Sequence, residues 1–369
     1  MTHNSQPRVE AVPDVSAATQ PDTPPSSDGP LSAYTTLRLG GPSGTLTVAT
    51  ETDQLVTTVR NGTAADQPVL VLAGGSNVVI GDAGFPGSVV LIRTRGIRVV
   101  ETHADSVVVR VAAGEDWDNF VEYAVTNGFS GVECLSGVPG SAGATPIQNV
   151  GAYGQEVAHT VVAVQVYDRE HDSIRVMPPT DCAFAYRNSI FKNNDRYVVL
   201  EVDFRLARST DSAPIRYAEL ARTLGVETGE RVPLRQARDT VLKLRAGKGM
   251  VLDPDDKDTW SVGSFFTNPV VSQGEWDRLG LDAPHWPAGD GDVKIPAAWL
   301  IERAGFAKGF GEGRGVAISG KHTLSLTNRG AGTTAALLDL ARTIRAGVRD
   351  RFGIELHPEP VLINCSLDR

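Results

Sequence analysis

Apolar positions change their spacing several times along the chain, and each change marks an expected element. From about Leu31 onward, short β-rich runs punctuated by glycine, among them PVLVLAGG, SVVLIRT, IRVVET and SVVVRVAAG, predict a sheet region. Trp117, Phe120, Val121, Ala124 and Val125 then recur at helical spacing, with Asp116 as N-cap and Gly128 as stop. In the segment ECLSGVPGSAGATPIQNVGAYGQEV neither the helical nor the strand period survives, which predicts an ordered loop shaped by a ligand. Further on, VVAVQVYDREHDSIRVM reads as a hairpin. In RYVVLEVDFRL, Val198, Leu200, Val202, Phe204 and Leu206 alternate with more polar residues, as in a strand. The polar stretch 207–214 is the expected hinge, followed by mostly helical patterning. A last helix carries Leu337, Leu340, Ala341, Ile344 and Val348 on one face, and FGIELHPEPVLI closes the fold with a strand. The class is α+β, without a detectable internal repeat.

Residues 1–29 lack this texture. Pro7, Pro13, Pro21, Pro24 and Pro25 stand among Ser, Thr, Asp and Gln, with too little apolar surface to offset ordering entropy, so a disordered tail is expected. The chain has 369 residues, enough for two or three domains and a cleft between them, at about 150 residues per domain. No apolar run approaches the roughly 20 residues of a spanning helix. The start MTHNSQPRVE has no signal-peptide pattern, so the expected address is the cytoplasm. Cys134, Cys182 and Cys365 lie far apart and the seven histidines are scattered, so neither a disulfide framework nor a metal site is expected. A net charge of -9 argues against nucleic acid as a partner, although a few local cations suffice for a small anionic ligand.

Two glycine-rich constellations carry candidate chemistry. In VLVLAGGSNVVIGD a strand runs into Gly74, Gly75, Ser76 and Asn77. Glycines let backbone N–H groups approach a pyrophosphate, and Ser76 and Asn77 add donors; a plain tight turn between two strands is the competing reading. The spacing is not that of a dinucleotide fingerprint opening a helix. In GSAGATPIQNVGAYG, Gln148 and Asn149 offer amide donors and acceptors along what would be the polar edge of a flavin, with Pro146 fixing the approach. Ala144, Ile147 and Ala152 suit its faces, and a rigid connecting loop is the alternative.

This second segment resembles the flavin-binding signature of the UDP-N-acetylenolpyruvoylglucosamine reductase family, within the vanillyl-alcohol-oxidase-like flavoproteins. The resemblance continues in order through YRNSIFK, GSFFTNP and LHPEP, and so spans about residues 31–363. It implies an FAD-binding domain at 30–208, built from α+β subdomains at 30–102 and 103–208, and an α+β substrate domain at 209–369. It adds Gly140, Ser141, Gly143, Gly151 and Tyr153 to the cofactor contacts. It implies that Arg187, Ser264 and Glu359 meet at the substrate, that Tyr217 of PIRYAEL covers it as in the family's longer tyrosine-loop subclass, and that Lys248 and Asn268 hold its diphosphate. Thr267 and His357 depart from the family pattern, in which lysine and an acidic residue are common at these positions.

The implied reaction passes hydride from NADPH to FAD and on to the enolpyruvyl group of UDP-N-acetylglucosamine enolpyruvate, giving UDP-N-acetylmuramate for peptidoglycan, in a protein expected to be a monomer. Arg187 supplies a permanent bidentate cation for the enolate, and Ser264 the proton that quenches it at carbon. Glu359, stiffened between Pro358 and Pro360, acts either neutral as a donor to the enolate or ionised to orient Arg187 or a water. His322 in GKHTL is read as structural. The rival readings are an oxidase of the same superfamily and a nucleotide-sugar sensor without chemistry.

Overall fold

The computed structural model describes residues 29–289 and 291–368, so the expected tail falls, but for residue 29, outside them. The largest sheet has six strands. Ser173–Met177, Val161–Asp168, Tyr197–Arg208, Ser106–Ala112 and Ile97–Thr102 follow one another across it, and Phe129–Ser130 pairs with the far end of Tyr197–Arg208. All neighbours are antiparallel, and the expected hairpin closes with Asp168 opposite Ser173. The central strand sits where its sequence demands, since Val198, Leu200, Val202, Phe204 and Leu206 are all buried. The expected helix spans Trp117–Thr126. The Asp116 side chain accepts from the Asn119 N–H at 2.9 Å, and Gly128 follows at φ 70°. Trp117 and Phe120 meet Phe204 with ring centroids 5.6 and 5.0 Å apart, which pins the helix to the sheet.

A three-stranded parallel sheet precedes this layer, in the order Ser43–Ala49, Phe85–Ile92, Val69–Leu72, with the helix Thr52–Ala64 in the first crossover. The C-terminal part contributes two small antiparallel sheets. One joins Ser261–Ser264, Ser325–Asn328 and Val316–Ile318, and the other joins Val270–Val271, Val293–Lys294 and Trp286–Pro287. The helices Ala297–Arg303 and Thr334–Phe352 pack beside them, the latter burying Leu337, Leu340, Ala341, Ile344 and Val348 as its periodicity predicts.

Two placements were not visible in the pattern. The closing strand Val361–Ile363 pairs in parallel with Val78–Ile80, near the other end of the chain. Thr334 Oγ1 donates to the Ile80 carbonyl at 2.6 Å, and Leu37, Leu39 and Val79 join the C-terminal core. The helices Ala218–Leu224 and Leu234–Gly247 share an apolar cluster with Cys134. Arg238 and Arg235, one turn apart on the second of these, reach Asp118 at 2.7 Å and Glu122 at 2.5 Å on the helix Trp117–Thr126. Among the described residues no helix is long and apolar enough to cross a membrane.

Candidate active site

A cavity of about 1060 Å³ runs between the glycine loops, the turn carrying Arg187 and the first C-terminal strand. Gly74, Gly75, Ser76 and Asn77 form one wall of it. The two glycine loops lie in contact: a Cβ on Gly74 would stand 2.6 Å from the Gly140 Cα, and one on Gly140 2.6 Å from Ser76 Oγ. Ser76 Oγ donates to the Pro139 carbonyl at 3.0 Å, and the Asn77 amide donates to the Gln148 side-chain carbonyl. Neither loop can therefore move without the other.

Gly140, Ser141, Gly143, Ala144, Gln148, Gly151, Ala152 and Tyr153 continue that wall. Pro146 and Asn149 do not reach it. The Asn149 amide is consumed behind the loop, donating to Glu156 at 2.9 Å and the Ala185 carbonyl at 3.1 Å while its oxygen accepts from the Ala158 N–H at 3.1 Å. It fastens the loop to the turn that carries Arg187. Ser141 Oγ, by contrast, is buried on the wall without a protein partner, a free polar group for a ligand to satisfy.

Arg187, Ser264 and Glu359, distant in sequence, line the same cavity. Arg187 occupies a tight turn in which Ala185 and Asn188 exchange backbone hydrogen bonds, and its own φ is 53°. Its Nη2 donates to the Gly151 carbonyl at 2.7 Å, and its Nε lies 3.3 Å from Glu359 Oε1. Glu156 stands behind it at 4.0 Å. Ser264 ends its strand after Gly263, whose φ of 74° accompanies a register slip against the neighbouring strand. The Glu359 N–H donates to the Phe265 carbonyl at 2.9 Å, which sets the carboxyl one residue along from Ser264. Burial raises the Glu359 carboxyl above its ordinary range, with Arg187 and then Lys192 drawing it back.

The other end of the cavity is cationic. Lys248 caps the helix Leu234–Gly247 and reaches Glu219 at 2.6 Å, with its ammonium 5.7 Å from the Tyr153 ring. Tyr217 stands edge-on to Tyr153, ring centroids 5.4 Å apart. His322 lines this end, and burial followed by Lys248, Lys308 and Arg245 pushes its pKa down to about 4. Asn268 lies on the wall with its side-chain oxygen accepting from the Ala297 N–H at 2.9 Å, which leaves its amide for a ligand. Thr267 and His357, the two departures from pattern, face each other: the Thr267 N–H donates to the His357 carbonyl at 3.0 Å.

Sequence reasoning missed Arg245, Tyr186 and Lys294 on the wall. Arg245 is almost fully buried, donates to the Met250 carbonyl at 2.8 Å, and keeps an unpartnered Nε. Lys294 lies over the Tyr186 ring at 4.6 Å. Tyr186 adjoins Arg187 and was open to inspection, whereas nothing local distinguishes Arg245 or Lys294 from a surface cation.

Residues 44–176 match the family model described as an FAD binding domain, and residues 253–363 match that of the UDP-N-acetylenolpyruvoylglucosamine reductase C-terminal domain. The UDP-N-acetylenolpyruvoylglucosamine reductase of Salinispora arenicola is 60% identical over 354 residues, covering 94% of this chain and 98% of the relative. The chain belongs to that reductase family. The reductase of Thermobifida fusca is 56% identical, with 92% and 98% of the two chains covered. The crystal structure of UDP-N-acetylenolpyruvylglucosamine reductase from Thermus caldophilus has the same fold, with a TM-score of 0.63 at 24% identity over 91% of this chain and 98% of that one. The architecture is thus an α+β FAD-binding domain of the vanillyl-alcohol-oxidase type with a C-terminal α+β domain. The orphaned Ser141 hydroxyl, the close contact of Gly74 with Gly140 and the cavity's volume suit a flavin dinucleotide. Among the described residues the one group of potential metal ligands, Asp168, Glu170 and His171, lies outside this cavity, with Asp168 already held by Arg196 at 2.8 Å and Arg175 at 3.0 Å.

Proposed function

We propose that the chain reduces the enolpyruvyl group of UDP-N-acetylglucosamine enolpyruvate at the expense of NADPH, giving UDP-N-acetylmuramate for peptidoglycan. The observation that carries this reading is the 3.3 Å pair of Arg187 and Glu359 on the cavity that Ser264 also lines. FAD would be held by the turn 74–77 and the loop 140–153, with Ser141 and Gln148 as polar contacts. Bound FAD supplies a two-electron relay between NADPH and the enolpyruvyl double bond.

Arg187 binds the substrate carboxylate and meets the charge it gains once the terminal carbon is reduced. A guanidinium stays charged at any relevant pH and is already aimed, so no reorganisation is needed as charge develops. Ser264 gives its hydroxyl proton to the carbon bearing the carboxylate and recovers one from water. An enolate carbon is basic enough to make that transfer run downhill, and positioned proton donation contributes about 10²- to 10⁴-fold in rate. Glu359, its carboxyl raised by burial and held against Arg187, either donates to the enolate when neutral or orients Arg187 when ionised.

Lys248, Tyr217 and the amide of Asn268 receive the diphosphate end. Burial chiefly keeps His322 neutral, and the cationic potential of Lys248, Lys308 and Arg245 that adds to it is one a dianion seeks. With Tyr217 at this end, the reading extends to the longer tyrosine-loop subclass, to a cytoplasmic monomer, and to a domain division at 208/209, whereas the expected subdomain boundary at 102/103 would cut the paired strands Ile97–Thr102 and Ser106–Ala112 of one sheet. The test is a purification: the protein should be yellow, bleach with NADPH, and recover its colour anaerobically on adding the enolpyruvyl sugar nucleotide. Bleaching without substrate-dependent recovery would remove this substrate from the proposal.

A further inference from the structure

Lys192 closes the YRNSIFK motif, and no role has so far fallen to it. Its Nζ donates to the Arg187 carbonyl at 3.1 Å and to the Glu359 carbonyl at 3.0 Å, across a separation of 167 residues for the second contact. Lys192 is not on the cavity wall, whereas both residues it joins are. The Glu359 peptide is thereby held from both sides, its N–H on the Phe265 carbonyl and its C=O on Lys192. Arg187 is held likewise, its side chain on Gly151 and Glu359 and its carbonyl on Lys192, in a turn whose φ of 53° an arginine seldom adopts.

We propose that Lys192 is the positioning residue that locks Arg187 and Glu359 into one arrangement beside the cavity. Nearby groups divide clearly. Arg187 and Lys192 are the cations that act directly on the carboxyl, Glu156 opposes through Arg187 at 4.0 Å, and Tyr186 faces the pair with Lys294 over its ring. His357 is two residues away on the same segment. Lys192 is one of the two cations that hold the carboxyl down against burial, and unlike Arg187 it does so without touching the cavity. Removing its charge therefore moves Glu359 further up, whichever form of the carboxyl the reaction uses.

The inference rests on the proposed reaction, and its test separates the two. FAD-loaded Lys192→Met, Lys192→Gln and Lys192→Arg are compared with wild type. The limb of the pH profile of kcat that disappears in Glu359→Gln is the Glu359 limb. It should move up by about half a unit or more in Lys192→Met and Lys192→Gln and stay in place in Lys192→Arg. In Lys192→Met kcat should fall about tenfold or more at little change in KM, because the diphosphate contacts are untouched; Lys192→Gln, which keeps donors, should recover part of that loss. Carbon-13 spectra of glutamate-labelled holoenzyme should show the Glu359 carboxyl titrating higher in the same two variants. Should Lys192→Met not fold, the Gln and Arg pair carries the same comparison. A carboxyl titration unmoved by loss of the charge, or pH profiles lowered in parallel in all three variants, would overturn the proposal. Absence of reductase activity in wild type would count against the reaction alone, and the carboxyl titration would still decide on Lys192.

Discussion

Arg187 illustrates how much of the site is a matter of single side chains in unusual company. A non-glycine residue at positive φ costs about 1 to 3 kcal/mol, and here the turn, the Gly151 carbonyl and Glu359 together hold it there. Its identity was legible from the motif, but its conformation was not, since nothing local announces a left-handed arginine. His322, read from the sequence as structural, lines the cationic end of the cavity. Its folded pKa of about 4 lies below the ordinary 6.5, so it is neutral in both states above about pH 6.5. On acidification the unfolded chain takes the proton first, and stability falls between about pH 6.5 and pH 4. That loss amounts to up to about 3 kcal/mol, and denaturant melts should show it in wild type and not in His322→Gln. Because Lys248 and Arg245 help depress this pKa, a bound diphosphate should raise it, which a proton NMR titration with UDP would follow.

Elements were legible where one segment decides its own structure. The helix Trp117–Thr126 announces itself by its cap residue and its apolar stripe, and the hairpin by its alternation. The packing of Leu234–Gly247 on that helix was not, because Arg235 and Arg238 read as solvent-facing charges until Glu122 and Asp118 lie opposite them. The slip at Gly263, which turns Ser264 into the cavity, depends likewise on the neighbouring strand. Between the helices Ala218–Leu224 and Leu234–Gly247, Glu219 occupies the ammonium that the diphosphate is proposed to take. Lys248→Ala should therefore raise KM for the sugar nucleotide by about tenfold or more, while Glu219→Gln should lower it by freeing the lysine. Steady-state kinetics with NADPH held saturating would read both, and a Glu219→Gln variant with a higher KM would refute the competition.

Across the whole molecule, the proposed catalytic groups come from three remote stretches that only tertiary structure joins. Val361–Ile363 pairs with Val78–Ile80, which brings the LHPEP segment beside the first glycine turn, and Glu359 then hangs from the Phe265 carbonyl next to Ser264. Motif order along the chain pointed to this convergence, but no distance within it. A chain of net charge -9 also keeps Lys248, Arg245 and Lys294 on one cavity, so the global charge said little about the local field. In the proposed reaction labour is divided, and Ser264 serves only the substrate half. Stopped-flow measurement of the two half-reactions in Ser264→Ala tests this division most directly. Reoxidation of the reduced flavin by the enolpyruvyl sugar nucleotide should slow by about 10²-fold or more while flavin reduction by NADPH keeps its wild-type rate. Equal slowing of both halves, or of neither, would contradict it.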